Sequence, residues 1–234
     1  RNRRMRHRMS GGVRGGKGDL PLYSIASHTI FAVRIVNKSI RTICLALILL
    51  SVAARFINID SNVIGWHSWR QSDTAALARN FHETGESILY PRVDWGGGGY
   101  VETELQLYTY EVSLVYSAFG VNEAYARVLS IAIWLLGIFG LYRLSSRFYG
   151  NDVALFAATT YAVIPLSLFY GRAFMPEPTL LASIVWGLYF FYRWTDRHKM
   201  TDWLISCLLI TIAVLLKIPT LYIGLPLLYI AWTP

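Results

Sequence analysis

The chain has 234 residues, of which 54% are hydrophobic and only 15% charged, and its mean hydropathy is +0.39. This composition excludes intrinsic disorder over most of the chain and is unusual for a soluble domain, so it predicts a membrane protein. The net charge of +8 is concentrated before the first apolar run, where ten of the 22 Lys and Arg residues lie. A basic arm beside anionic lipid explains this charge better than nucleic-acid binding, and we expect no nucleic-acid partner.

Residues 1–42 form the first predicted unit, a basic cytoplasmic arm that we expect to be partly disordered. Its Gly-rich stretch reads GGVRGGKG and is similar to a phosphate-binding loop. However, Gly18 stands where such a loop needs the Ser or Thr that holds magnesium, and no apolar strand precedes it. We therefore interpret the stretch as a linker.

Apolar runs of membrane length or near it follow, and they predict an all-α polytopic membrane module over residues 43–234. The six runs cover residues 43–59, 124–144, 153–170, 179–192, 203–216 and 221–232. The last run is shorter than the roughly 20 residues that a span needs, so we expect a module that is incomplete at its C-terminus. Residues 105–119 are also apolar but short, contain Glu111 and end at Gly120. They predict an interfacial helix.

The distribution of charge predicts the orientation of these spans. With the arm in the cytoplasm and residues 105–119 not crossing, 15 of the 22 basic residues are cytoplasmic and 10 of the 14 acids are external. This partition follows the positive-inside rule. The sequence therefore predicts a multi-pass protein of the plasma (inner) membrane with a cytoplasmic N-terminus and an external loop over residues 60–122.

The external loop contains a predicted helix that carries Asp73. Ser68 and Gln71 match a capping box, S-x-x-Q, which starts a helix that should extend to about Phe81. Asp73, Leu77 and Phe81 share one face of this helix at four-residue spacing. Asp73 is either a functional carboxylate or the partner of a helical ion pair with Arg70, three residues earlier.

A second acidic group follows a glycine run. Asp94 precedes residues 96–99, which are all Gly, and Glu102 and Glu104 follow them. If the two groups converge, a carboxylate there is able to act as a base or to bind a metal ion. The alternative is that these are solvated surface acids.

Three stretches, residues 65–85 (GWHSWRQSDTAALARNFHETG), 89–110 (LYPRVDWGGGGYVETELQLYTY) and 169–178 (FYGRAFMPEP), resemble a known family. They are similar to the bacterial membrane glycosyltransferases of the dolichyl-phosphate-mannose protein mannosyltransferase family, which have the glycosyltransferase C fold. The resemblance covers residues 54–226. It implies transfer of a hexosyl or pentosyl group from a polyprenyl-phosphate donor at the external, periplasmic side.

The resemblance also implies roles for individual residues. Asp73 corresponds to the acidic residue that activates the acceptor. Glu104 corresponds to the glutamate before the interfacial helix and is expected to be a second catalytic residue. Lys217, in Lys-Ile-Pro, resembles the lysine of a turn that approaches the lipid phosphate, although it is also explained as a lysine that snorkels to the interface. Glu177 matches the acid that opens the next helix, where it also suits the helix dipole.

Three further residues of the quoted stretches, Arg172, Arg70 and Glu102, complete the predicted site. Arg172 is expected at an outer helix end, where it would bind the donor phosphate together with Lys217. Arg70 and Glu102 are expected to support the site. Arg127 also matches the family, but pairing with Glu123 one helical turn away explains it equally well.

Two other functions compete with glycosyl transfer. A transporter or flippase of a lipid-linked sugar would be expected to place polar groups at the bilayer midplane, whereas the ionisable residues here lie at the ends of the predicted spans. A non-catalytic scaffold would leave the carboxylates of Asp73, Glu104 and Glu177 dispersed. The expected partners are the lipid-linked sugar, membrane lipid, and an acceptor that is a protein, lipid or glycan. The sugar, the acceptor and a requirement for a divalent cation stay open.

Overall fold

The computed structural model describes residues 37–65, 67–94, 99–100 and 104–232, and only the backbone of Ile230. Most of the basic arm and Glu102 lie outside these ranges. The helices are α1 (Lys38–Arg55), α2 (Ser68–Thr84), α3 (Leu107–Phe119), α4 (Glu123–Val163), α5 (Pro165–Tyr170), α6 (Glu177–Arg197), α7 (Met200–Leu216) and α8 (Gly224–Trp232), with a 3₁₀ helix over Ile218–Ile223. Apart from one antiparallel bridge, Arg92 to Tyr100, the described residues are helices and loops, which confirms the all-α prediction.

Helix α1 differs from the first predicted run at both ends. It begins at Lys38, so the last residues of the predicted arm belong to the helix, and it ends at Arg55. Residues 56–60 form turns instead of a further helical turn. The shift follows from the amphipathic stretch before the apolar run, which can continue a helix although it is too polar to be counted in a span.

The element α4 contains a reversal of the chain at Gly150. This glycine has φ 80° and ψ 170°, a conformation that only glycine adopts readily. Trp134 and Ala162, one on each side of it, lie in the same core cluster, and the rings of Trp134 and Tyr161 stack with centroids 6.4 Å apart. A straight helix would hold these residues far apart, so α4 consists of two antiparallel helices that correspond to two separate predicted runs.

The second half of α4 ends where a proline follows. Ile164 is extended, with φ −62° and ψ 140°, and Pro165 is the first residue of the short helix α5. A residue before proline is disfavoured in the helical region, and proline lacks the N–H that would continue the hydrogen bonds. The predicted run over residues 153–170 is therefore a broken helix.

The long helices run between two ends that we name by their landmarks. At the Gly150 end, Arg41 of α1 pairs with Asp152 at 2.7 Å, and Arg193 of α6 pairs with Asp202 of α7. At the opposite end, which we call the α2–α3 end, the Leu105 N–H donates to the carbonyl of Leu215, near the end of α7, at 2.9 Å. Helices α2 and α3 pack against each other there.

Helix α3 does not traverse the bundle. The Tyr108 hydroxyl near its start donates to the Ala126 carbonyl at 3.0 Å, and the ring of Phe119 at its end contacts that of Tyr125. Ala126 and Tyr125 both lie in the first turn of α4, so both ends of α3 are at the α2–α3 end. Its position relative to a membrane stays a prediction.

Among the described helical elements, one, α4, contains a stretch long and apolar enough to cross a membrane, while α7 and the stretch Ile218–Tyr229 are apolar but shorter. By this measure the six predicted spans are not confirmed as a set. The polytopic arrangement and its orientation therefore stay predictions.

Candidate functional site

Helix α2 carries Asp73, and its buried face determines where that carboxylate lies. Leu77 and Phe81 follow at the predicted four-residue spacing and are only 7% and 5% exposed, and Ala78 between them is fully buried. Ala78 packs with residues of α3 and with Ala126 at the start of α4, and the Phe81 ring contacts that of Tyr110 on α3. Asp73 itself is partly exposed, at the edge of the packed face.

The predicted capping box at the start of α2 is wrong. The residue before the helix is His67, in the left-handed conformation with φ 52°, and no side chain caps the helix. Gln71 is buried and accepts a hydrogen bond from the Phe174 N–H at 3.2 Å. A contact with the loop between α5 and α6, more than 100 residues away, therefore positions the first turn of α2.

Asp73 and Glu104 come together at one small cavity of about 20 Å³, whose wall also includes Arg70, Tyr108 and Pro176. Arg70 Nη2 lies 2.7 Å from Glu104 Oε2, so Arg70 pairs with Glu104 and not with Asp73. Within the described part of the chain, the Asp73 carboxylate has no hydrogen-bond or ion-pair partner. A free carboxylate thus lies beside a neutralised ion pair.

A second, more open cavity of about 260 Å³ begins on the other side of Asp73. Its wall includes Ser72, Ala76 and Asp94. Asp94 is held by Arg79 Nη2 at 2.6 Å and by Asn80 Nδ2 at 2.9 Å, so its charge is compensated. Asp73 is the carboxylate that lines both cavities.

Tyr108 forms a neutral part of the first cavity. Its hydroxyl is buried and interacts with the Ser130 hydroxyl at 2.7 Å. Burial raises the pKa of Tyr108 well above its usual value, so the hydroxyl stays protonated. On the same helix, burial also raises the pKa of Glu111, and one oxygen of its carboxyl group is buried without a hydrogen-bond partner among the described residues.

Lys217 and Glu177 form an ion pair beside the Asp73 cavity. Lys217 Nζ lies 2.7 Å from Glu177 Oε1. The backbone of Lys217 is extended, with φ −152° and ψ 110°, at the point where α7 ends before the 3₁₀ helix. Glu177 is the first residue of α6. Pro176, which precedes Glu177, lines the cavity with Asp73. The α2–α3 end therefore gathers the predicted residues of α2, α6 and α7.

Arg172 lies at the same end but in another contact. Its guanidinium donates to the carbonyl of Ile57 at 2.6 Å and to that of Asn58 at 2.9 Å. These bonds hold the turn after α1 against the loop after α5. Arg172 does not line either cavity at Asp73 among the described residues, and its predicted contact with a phosphate is not tested by this arrangement.

Two buried arginines were missed as organisers of this end. Arg55 is fully buried, lies 3.4 Å from the ring centroid of Trp134, and donates to the carbonyls of Ala162 and Ser167. The Ala162 carbonyl lies just before the helix break at Pro165, so Arg55 supplies it with a donor that the interrupted helix does not. The only signal in the sequence was an arginine inside the first apolar run, residues 43–59.

Arg127 is the second of these arginines. It is 4% exposed, and its guanidinium donates to the Ile59 carbonyl at 2.7 Å. The alternative explanation from the sequence, an ion pair with Glu123, is not among the contacts within 4.0 Å of the described residues. Arg127 and Arg172 thus hold the same turn from two sides.

A site made from clustered metal ligands is not present in the described part of the chain, where no three His, Cys, Asp or Glu residues come together. Asp73 and Glu104 share a cavity, but one carboxylate oxygen of Glu104 is already paired with the Arg70 guanidinium.

Residues 107–234 match the family model of the dolichyl-phosphate-mannose-protein mannosyltransferases. This range is more than half of the chain and contains α3 to α8. The chain belongs to this family. The resemblance drawn from the sequence is thereby confirmed. Membership of this family implies a membrane-bound glycosyltransferase of this type. The chain matches no curated protein and no solved structure.

The family match divides the candidate site into two parts. Arg172, Glu177 and Lys217 lie inside the matched range, whereas Arg70, Asp73 and Glu104 precede it. The role of Asp73 therefore depends on its motif in the sequence and on the geometry of the two cavities.

Proposed function

We propose that this protein is an integral-membrane glycosyltransferase that moves a sugar from a polyprenyl-phosphate donor to an acceptor hydroxyl, with Asp73 as the base. The observation that carries this proposal is the position of Asp73, a carboxylate without a partner in the described part, between two cavities and beside paired cations. A base needs a free lone pair and access to the proton that it removes. Asp73 meets both requirements.

The reaction needs few protein groups because the leaving group is already good. The acceptor oxygen attacks the anomeric carbon of the sugar while the bond between that carbon and the phosphate oxygen breaks. The electron pair of the broken bond goes to the phosphate, and the acceptor proton goes to Asp73. Attack from the face opposite the phosphate inverts the configuration at the anomeric carbon.

Cations at the cavity would stabilise the phosphate as its charge develops. Lys217 is 33% exposed on its side chain, and Arg70 38%, so both are able to reach a ligand. Each is already held by one carboxylate, Glu177 or Glu104, which fixes its position before the donor arrives. Glu104 thus takes a positioning role in this proposal, and Glu102 stays a predicted supporting residue. Arg172, predicted to bind the phosphate, instead holds the turn after α1 in this proposal.

The two cavities suggest separate approaches for the two substrates. The small cavity has room for about one water molecule, so the donor phosphate would lie at its edge, where Arg70 lines it and the Lys217 pair adjoins it. The open cavity is about 260 Å³ and contains the small side chains of Ser72 and Ala76, which leave room for an acceptor. Asp73, between them, would meet the acceptor hydroxyl at the sugar.

We also propose that the protein lies in the membrane with its α2–α3 end on the external side. Large apolar side chains are exposed on the surfaces of several helices, among them Leu49 (70%), Leu208 (61%) and Leu225 (72%). Lipid would cover such surfaces at no cost, whereas water would not. The Gly150 end carries Arg143, Arg147, Arg193, Arg197 and Lys199, as expected for the cytoplasmic side.

The decisive experiment is the replacement Asp73→Asn in the chain reconstituted in lipid nanodiscs. Asn has the size of Asp but does not accept the proton, so turnover with polyprenyl-phosphate sugars should fall by about 100- to 10,000-fold. Asp60→Asn is the matched control, because Asp60 is a carboxylate in the same loop that lines neither cavity. Donor affinity, measured separately, should be retained in both variants. Turnover of Asp73→Asn within a few fold of the parent protein would contradict the assignment of the base.

A further inference from the structure

A separate cavity of about 180 Å³ lies between α4, α5 and α6, and we call it the α4–α6 cavity. Its wall contains three aromatic rings and several aliphatic side chains. The principal ones are Trp134, Tyr161, Tyr170, Ile164, Leu166 and Leu181. The cavity exists because the helix is interrupted at Ile164 and Pro165, which turns α5 away from the line of α4. It shares no lining residue with the two cavities at Asp73.

The polar atoms of Trp134, Ser167 and Glu177 in this wall are either hydrogen-bonded within the protein or buried. The Ser167 hydroxyl accepts a hydrogen bond from Trp134 Nε1 at 2.8 Å and another from Arg55 Nη2 at 3.2 Å. Glu177 Oε1 accepts from Lys217, and its Oε2 is buried, without a hydrogen-bond partner among the described residues, where an occupant of the cavity does not reach it. A polar occupant would lose hydrogen bonds to water without gaining these partners, whereas a hydrocarbon loses none.

The cavity opens on an apolar part of the surface. Leu166 is 67% exposed, Ile164 38% and Leu181 37%. The family is membrane-bound, so a hydrocarbon chain of the bilayer has direct access to this opening. Apolar cavities of about 150 Å³ hold a molecule of the size of benzene, so this one has room for roughly six carbon atoms of a chain.

We propose that the α4–α6 cavity binds an acyl chain of a bilayer phospholipid. The chain of the sugar donor is the competing occupant. If the donor phosphate lies at Lys217, the first isoprene units of the donor would have to pass the carboxylate of Glu177 to enter the cavity. In addition, no Lys or Arg among the described residues lines the cavity to attract a phosphate. A phospholipid keeps its headgroup away from this wall and inserts only its chain.

The test uses the chain in nanodiscs that contain a trace of phosphatidylcholine with a photoactivatable diazirine in the middle of one acyl chain. After irradiation, we expect labelled peptides to concentrate in residues 161–181. Leu181→Trp fills the cavity and should lower this labelling by about tenfold, which corresponds to exclusion of about two methylene groups. Leu208→Trp is the matched control, because Leu208 is an exposed leucine of α7 outside the cavity, and it should leave the labelling unchanged.

Ile164→Trp provides a second way to fill the cavity if Leu181→Trp does not fold. Equal labelling in the filled and control variants, or no labelling of residues 161–181, would overturn the proposal. Displacement of the labelled phospholipid by an equimolar amount of polyprenyl phosphate would also overturn it, because the cavity would then bind the chain of the donor. Labelling of Asp73→Asn should equal that of the parent protein, so this result does not depend on the proposed base.

Discussion

The two ends of the bundle contain carboxylates in opposite situations. At the Gly150 end, each of the three described carboxylates holds an arginine: Asp152 with Arg41, Asp196 with Arg147, and Asp202 with Arg193. At the α2–α3 end, four described carboxylates have no basic partner within 4.0 Å, namely those of Asp60, Asp73, Glu111 and Glu123. Of these, Asp73 lines two cavities.

This difference separates charges that join helices from charges that are available to a ligand. Pairs such as Arg193 with Asp202 connect neighbouring helices, and both partners are used by the fold. At the α2–α3 end the basic residues Arg70 and Lys217 are also paired, yet they remain partly exposed near Asp73, whose carboxylate has no partner among the described residues. Substitutions at the two ends should therefore change different properties.

The largest effect after Asp73→Asn is expected for Lys217. Replacement by Met keeps the apolar stem but removes the charge, so turnover should fall by about 10- to 100-fold and the donor KM should rise, because a charged contact to phosphate is worth about 1.5 to 3 kcal/mol. Arg172→Met is the comparison, because Arg172 donates to the carbonyls of Ile57 and Asn58. It should lower the melting temperature with the donor KM unchanged. An equal rise in KM for both variants would restore Arg172 as a phosphate contact.

The packing of the α2–α3 end is expected to tolerate little change at Gly171. A Cβ atom there would lie 2.6 Å from the Ser167 carbonyl oxygen, 2.7 Å from Trp134 Cδ1 and 2.8 Å from Arg55 Nε. Gly171→Ala should therefore lower the free energy of unfolding by about 1 to 3 kcal/mol. Gly224→Ala is the control, since nothing lies within 4 Å of the new atom and α8 is helical there. Thermal unfolding in detergent measures both, and equal melting temperatures would contradict the crowded geometry.

At the Gly150 end, Asp202→Asn should affect stability but not catalysis. The change removes the charge that holds Arg193 of α6 against the first turn of α7. We expect the melting temperature to fall by about 2 to 4 °C, as for a loss of about 1 kcal/mol in a chain of this size. Turnover per folded molecule should stay within a factor of about two of the parent value, because the site is at the other end. A loss of turnover comparable to that of Lys217→Met would show that the ends are not independent.

The smallest expected effect concerns Glu111, an unpaired carboxylate at the α2–α3 end that is partly buried. Burial raises its pKa in the folded protein, so the folded state keeps its proton at pH values where the unfolded chain has released it. Stability is therefore lost as pH rises from about 4.3, the unfolded pKa, through the raised folded pKa. Glu111→Gln removes this loss, so it should raise the melting temperature more at pH 7 than at pH 4. Melting temperatures of both forms at pH 4 and pH 7 test this, and a difference that does not change with pH would refute it.

Much of the local structure is determined by the sequence alone. The apolar runs mark the helices α4, α6 and α7, and Gly150 and Pro165 mark a reversal and a break whose backbone geometry suits those residue types. The spacing of Asp73, Leu77 and Phe81 predicts which face of α2 is buried. These features follow from neighbouring residues, because helical periodicity and backbone preference act over a few positions.

The pairing of charged and polar groups was decided only by the tertiary structure. Arg70 pairs with Glu104, which is 34 residues away, and not with Asp73, and Gln71 bonds to the loop after α5 instead of capping its own helix. Arg55 donates hydrogen bonds to the carbonyls of Ala162 and Ser167 at a helix break that lies more than 100 residues further along the chain. The energy of an ion pair or hydrogen bond depends on distance in space, and helix packing brings distant segments within that distance. Local patterns identified Asp73 as a candidate, whereas packing determined that its carboxylate has no partner among the described residues.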